Sequence, residues 1–201
     1  KITPLKIVAI IQARMGSERL PDKVMRHIGN DPVIGHVIKR VRKINNLNDI
    51  VVATTNLFED QRIVDYCRDI DVNCYRGSSN NVLERFYRAA LFSSADTVIR
   101  ITADCPLLDP KVSFETLDLF LRKKSDYVSN VHPPTYPDGM DTEVFTFGSL
   151  EIVYKSANKD YQKEHVTPYI YENPDVFKIY NHQSKKDLSG FRFVVDNEDD
   201  F

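Results

Sequence analysis

Lys6-Ile7-Val8-Ala9-Ile10-Ile11-Gln12, followed at once by Ala13-Arg14-Met15-Gly16-Ser17-Glu18-Arg19-Leu20-Pro21-Asp22-Lys23, is the stretch whose reading decides the fold. Its first half is an apolar run rich in branched residues, and it reads as a strand covered on both faces. Its second half breaks into Gly, Pro and charged residues, so it reads as a loop leaving the strand's C-terminal end. Ligands of open α/β sheets collect at that edge.

Outward from this stretch, apolar runs alternate with segments of helical period. Val33, Ile34, Val37, Ile38 and Val41 form one apolar face of a helix. Strands are expected over 50–54, 72–75, 96–101, 127–131 and 142–147, and helices over 59–68, 81–94 and 111–123. The tail reads as a helix over 149–157 with Ser149 as N-cap, a short helix over 164–171 with Pro168 near its start, and closing strands over 177–181 and 191–195. This alternation predicts an α/β domain over 1–201 built on a mostly parallel central sheet. His132-Pro133-Pro134-Thr135-Tyr136-Pro137-Asp138-Gly139 cannot continue a sheet interior, and it opens an excursion from the core over about 132–171.

At 201 residues the chain fits one core, and its 42% hydrophobic content is that of a globular protein. A net charge of -2 argues against general nucleic-acid binding, which leans on a basic face. The apolar run near the start is too short for a signal peptide or a membrane span, so no membrane partner and a cytoplasmic location are expected. Cys67, Cys74 and Cys105 show no Cys-x-x-Cys spacing and read as reduced structural residues. After Asp199-Asp200-Phe201 no closing element follows, so the natural polypeptide is expected to run on.

The first loop sets Arg14, Arg19 and Lys23 around Gly16 and Ser17, and cations with bare backbone N–H groups are what a polyphosphate needs. No Gly-Lys-Ser/Thr follows, so the pattern is not a P-loop; the cations alone also fit a solvated surface. Asp104, just past the fourth strand in Arg100-Ile101-Thr102-Ala103-Asp104-Cys105-Pro106, is a candidate magnesium ligand or else a turn acid. Asp196, directly after the last expected strand, is the candidate second ligand, with Asp199 and Asp200 read as a solvated acidic cluster. Arg76-Gly77-Ser78 is either a turn or an approach to base or ribose. Asp138, Asp141, Glu143 and His165 form a polar set able to pair with sugar hydroxyls, with loop capping for Asp138 and a structural hydrogen bond for His165 as the blander roles.

Taken in order, these segments resemble the cytidylyltransferase family that makes CMP-activated acidic sugars, including the CMP-Kdo and CMP-sialic acid synthetases, and most of all its spore-coat polysaccharide biosynthesis (SpsF-type) branch. Val51-Val52-Ala53-Thr54-Thr55, Tyr127-Val128-Ser129-Asn130, Asp138-Gly139-Met140-Asp141-Thr142-Glu143 and Glu164-His165-Val166-Thr167-Pro168-Tyr169 carry the likeness beside the loops above. Asp22 departs from it, standing where the family usually has glycine. The resemblance implies a Rossmann-like, glycosyltransferase-A-type fold and transfer of CMP from CTP to a sugar or sugar acid, with magnesium as cofactor. It implies a nucleotide site of Gln12, Ala13, Arg14, Gly16, Ser17, Arg19, Lys23, Arg76 and Thr102, with Arg14, Lys23 and Asp104 catalytic. Magnesium would be held by Asp104 and Asp196, and the sugar by Asp138, Asp141, Glu143 and His165. By the same analogy the excursion builds a homodimer interface. Two other readings stand beside this one. A glycosyltransferase that consumes a nucleotide sugar normally carries Asp-x-Asp, which Asp104-Cys105-Pro106 lacks; a non-catalytic nucleotide-binding protein of the same pathway is the other.

Overall fold

The computed structural model describes residues 4–201, so the first three residues of the expected 1–201 domain lie outside the described residues. Strand β1 (Ile7–Gln12) is fully sandwiched: Ala9 and Ile11 join the core on one side, Val8 and Ile10 the core on the other. A two-stranded hairpin follows, β2 (His27–Ile28) with β3 (Asp31–Pro32), leading into helix α1 (Val33–Val41). Next come β4 (Asp49–Thr55), α2 (Gln61–Asp69), β5 (Asn73–Gly77), α3 (Val82–Phe92), β6 (Thr97–Thr102) and α4 (Pro110–Lys123). The last third holds β7 (Tyr127–Ser129), β8 (Glu143–Thr146), α5 (Phe147–Ser156), α6 (Asp160–His165), α7 (Pro168–Tyr171) and β9 (Ile179–Asn181).

Seven strands form one sheet in the order β5-β4-β1-β6-β8-β7-β9. β1 pairs in parallel with both β4 and β6, whereas β8 runs antiparallel to β6 and β7. The chain moves outward from β1 through β4 to β5, then returns to place β6 on the other flank. The strand order therefore reverses at β1, and that reversal opens a crevice at the C-terminal ends of β1 and β6. Ile34, Ile38, Ile63, Cys67 and Leu117 cover one face of the sheet; Leu83, Phe86, Leu150, Val153 and Ile170 cover the other.

Three expectations are corrected by the structure. The expected strand over 191–195 is a loop, tied to the excursion by the bridge of Asp138 to Arg192 and by Phe193 N–H donating to the Asp138 carbonyl at 2.7 Å. Ser149 is not the N-cap of α5; Thr146 is, accepting from Ser149 N–H at 2.9 Å, so the helix starts two residues early. The expected helix over 164–171 is two helices, broken at Val166, whose φ of 70° no α-helix accommodates. The three cysteines are free, as their spacing implied.

Gly139 fixes how the excursion meets the tail. Its φ is 97°, and a Cβ there would lie 2.7 Å from the Phe193 carbonyl carbon. Gly139→Ala should therefore cost about 2 kcal/mol, lowering Tm by roughly 4–8 °C in a thermal melt. An unchanged Tm would mean that the 191–195 loop can be displaced freely.

Candidate active site

The loop after β1 is held from beneath by a buried carboxylate. Asp60, 1% exposed, accepts from Met15 N–H at 2.7 Å and from Thr55 N–H at 3.2 Å, and it also takes the Thr55 hydroxyl. Gly16 has open space around its Cα, so the backbone at the loop's tip is uncovered. Asp22 adopts φ 59° and ψ 12°, a left-handed conformation natural to glycine and tolerated by aspartate, and its carboxylate accepts from Arg62 at 2.8 Å. The family's usual residue and the present one thus satisfy the same backbone demand.

Lys23 leaves this loop in a short 3₁₀ turn and reaches across the crevice. Its ammonium donates to Asp104 Oδ2 at 2.7 Å and to Asp196 Oδ1 at 2.8 Å, and Arg19 Nη2 stands 3.0 Å from the same Asp196 oxygen. Val195 N–H donating to the Asp104 carbonyl at 2.8 Å brings Asp196 beside Asp104. Asp200 was expected to be a solvated acid, yet it caps the backbone N–H groups of Asp196 at 2.8 Å and Asn197 at 3.1 Å and pairs with Arg192. It positions Asp196. Burial pulls the Lys23 ammonium down, but Asp104 and Asp196 outweigh it and leave it raised. Burial pushes Asp196 up, but Lys23, Arg19 and Arg192 leave it lowered. The stability from Asp196 is therefore present above the unfolded aspartate value near ~4 and lost as pH falls through the lowered one; that from Lys23 is lost only as pH rises through its raised value.

Gln12, Ala13, Arg14, Gly16, Ser17, Arg19, Lys23, Thr102, Asp104 and Asp196 all line one cleft of about 480 Å³. Arg76 does not. Its guanidinium is taken up by the Thr55 carbonyl at 3.0 Å, the Leu57 carbonyl at 2.8 Å and Gln61 Oε1 at 2.7 Å, so it braces the loop after β4. The cation in the cleft that the sequence reading missed is Arg85, 2% exposed, with Nη1 donating to the Ser78 carbonyl at 2.6 Å and Nε without a partner. Burial, then Arg14, pulls its guanidinium down to about 10, with Asp60 opposing. A signal was available: Arg85 lies between Val82 and Phe86 on the inward face of α3, where a cation is out of place.

A second cavity of about 280 Å³ adjoins the first and is lined by Arg100, Thr102, Val131, His132, Asp141, Glu143, His165, Thr167 and Tyr171. Of the four sugar candidates, Asp141, Glu143 and His165 reach it. Asp138 does not; it sits outside, 3.4 Å from Arg192. Glu143 is buried and fully engaged: Oε1 accepts from Tyr127 OH at 2.5 Å and Thr167 OH at 2.6 Å, while Oε2 holds Arg100. Burial pushes its carboxyl up, but the Arg100 charge and these hydrogen bonds leave it lowered. Burial of the Asp141 carboxyl among the groups around the cavity pushes it up to about 7, with Asp138 and Glu143 adding to the shift and Arg100 opposing it.

A family model described as cytidylyltransferase matches residues 8–198. The chain belongs to the cytidylyltransferase family. It is an enzyme family, and this member has 42% identity over 98% of its length to an uncharacterized protein of Methanocaldococcus jannaschii, covering 81% of that protein. Spore coat polysaccharide biosynthesis protein SpsF of Bacillus subtilis is 29% identical over 97% of this chain and 83% of its own. A 3-deoxy-manno-octulosonate cytidylyltransferase of Trichlorobacter lovleyi is 30% identical over 58% of this chain and 46% of its own. The solved structure of a cytidylyltransferase from Leptospira borgpetersenii superposes with a TM-score of 0.94 at 33% identity, covering 98% of this chain and 84% of that one. The expected resemblance and the expected Rossmann-like α/β fold both hold. Among the described residues, no helix of this cytidylyltransferase is long and apolar enough to cross a membrane.

Glu143→Gln leaves Arg100 buried against a neutral amide, so it should destabilise the fold by about 3–5 kcal/mol in urea titration. Because the carboxyl is lowered in the fold, its contribution is present above the unfolded glutamate value near ~4.3 and fades as pH falls through the lowered one. The variant's stability curve should therefore converge on the wild type's in acid. A constant gap at all pH values would contradict this.

Proposed function

We propose that this cytidylyltransferase family member joins the CMP unit of CTP to a hydroxyl of a sugar or sugar acid, with release of pyrophosphate, in the making of a surface polysaccharide. The observation that carries the reading is the Lys23 ammonium held between Asp104 and Asp196 beneath the Arg14–Arg19 loop, a concentration of paired charge at the ligand edge of the sheet. The SpsF relative supports the pathway and the 3-deoxy-manno-octulosonate enzyme supports a sugar acid.

Arg14, Arg19 and the uncovered backbone around Gly16 and Ser17 would bind the triphosphate, with Lys23 neutralising charge on the transferred and departing phosphates. Asp104 and Asp196 fit magnesium as well: they are carboxylates gathered about one cation, and among the described residues no third His, Cys, Asp or Glu completes a cage. That donor set suits a hard ion that keeps phosphate and water ligands. Bound there, magnesium would supply further charge stabilisation to the phosphates. Cys105 keeps Asp104 oriented through its thiol, 3.6 Å from Oδ1. Thr102 and His165, which line both cavities, would border the acceptor hydroxyl where it meets the α-phosphate.

Pyrophosphate release should appear with CTP, magnesium and 3-deoxy-manno-octulosonate or a related sugar acid, and Asp104→Ala should abolish it. Lys23→Ala should lower kcat by about 10²–10³-fold, the size of losing one charge-stabilising donor. Absence of release with every nucleotide and sugar tried would overturn the transfer reading. In a thermal-shift comparison of the four nucleoside triphosphates with magnesium, CTP should raise Tm most; equal shifts would remove the cytidine preference alone.

A further inference from the structure

The nucleotide cleft and the second cavity share two lining residues, Thr102 and His165. In the proposed transfer, a hydroxyl arriving from the second cavity must meet a phosphate arriving from the first, so the reacting oxygen passes this pair. That oxygen must also lose its proton. A threonine hydroxyl cannot take it at neutral pH, whereas an imidazole can. The other basic side chains face one cavity each: Glu18, Asp104, Glu164 and Asp196 the first, His132, Asp141 and Glu143 the second. Glu143 is fully hydrogen-bonded, and Asp104 is bound to Lys23.

The backbone holds His165 at this junction. Thr167 N–H donates back to the His165 carbonyl at 2.8 Å across Val166, whose φ of 70° and ψ of -56° make a tight γ-turn strained for a β-branched residue. The turn is over-determined on both sides: Val166 is 1% exposed in the core, and the Thr167 hydroxyl is locked to Glu143 at 2.6 Å. Among the described residues, no side chain hydrogen-bonds the His165 ring, and the ring is exposed in the cleft. The titratable and charged groups lining the cavities it borders are Arg14, Glu18, Arg19, Lys23, Arg85, Asp104, Glu164 and Asp196 in the first, and Arg100, His132, Asp141, Glu143 and Tyr171 in the second.

We propose that His165 is the general base of the transfer. Resting on the function proposed above, the step is balanced as follows: the acceptor O–H proton passes to an imidazole nitrogen, and the oxygen forms a bond to the α-phosphorus. The bond from that phosphorus to the bridging oxygen breaks, and its electron pair leaves with pyrophosphate.

The test is steady-state kinetics across pH, with CTP, magnesium and the sugar acid that supports wild-type turnover, on wild type and His165→Gln. Wild-type kcat should fall on acidification, as it does for any transfer that needs a free general base. His165→Gln should lose roughly 10²–10⁴-fold in kcat and lose that acid limb, while keeping its KM for CTP. A retained CTP-induced thermal shift would show that the variant is folded, and His165→Asn provides a second variant read in the same way. If either variant keeps the acid limb and near-normal kcat, with only the acceptor KM raised, His165 is a contact and the proposal is overturned. If wild type itself turns over no sugar, the transfer reading falls first and takes this step with it.

Discussion

One ammonium group ties the site together. Lys23 Nζ binds carboxylates 81 and 173 residues away in sequence, each within 2.8 Å, so the first loop, the end of β6 and the tail converge on a single charge. The hydrophobic layers on both faces of the sheet would hold the fold without it. Asp104 and Asp196, however, are pressed together by the backbone bond between Val195 and Asp104, and two adjacent carboxylates repel unless a cation stands between them. The partly buried pair is a poor source of net stability, since desolvation opposes attraction; what it fixes is the shape of the crevice.

The tail earns its place through geometry rather than through sheet pairing. Residues 191–195 cross the excursion at Gly139, where only a missing Cβ lets the two backbones approach, and Asp200 then folds back on Asp196. Position in the active site is thus set by hydrogen bonds and one close contact, which leave little trace in hydrophobic period.

That explains what the sequence made legible. β1, α1, α3 and α4 announce themselves because burial on one or both faces imposes a pattern that survives in the residue order. The strand expected over 191–195 failed for the converse reason: Phe191, Phe193 and Val195 alternate as a strand should, but no neighbour offers the ladder, and Phe191 stays exposed. The loop after β1 and the two distant aspartates were legible because charge clustered at strand ends is unusual. Arg76 misled because an arginine beside a ligand loop has two uses, and its three carbonyl and amide partners are visible only in three dimensions. Arg85 was hidden in plain sight within an apolar helix face. Gly77 is its counterpart: a Cβ at that position would come within 3.1 Å of the Arg85 stem.

The reversal of direction at β8 separates two kinds of contribution. Parallel strands deliver side chains to the crevice as the chain departs from them, as Arg14 follows β1 and Asp104 follows β6. β8 runs the other way, so it delivers Asp141 on arrival, at the end of the excursion that begins at His132 and is pinned to Asn130 only over its last residues. Changes in the length or composition of that approach can remodel the wall facing the acceptor while the phosphate-facing half keeps its register. A lineage built on this scaffold can diversify the sugar it accepts without renegotiating how it holds its nucleotide.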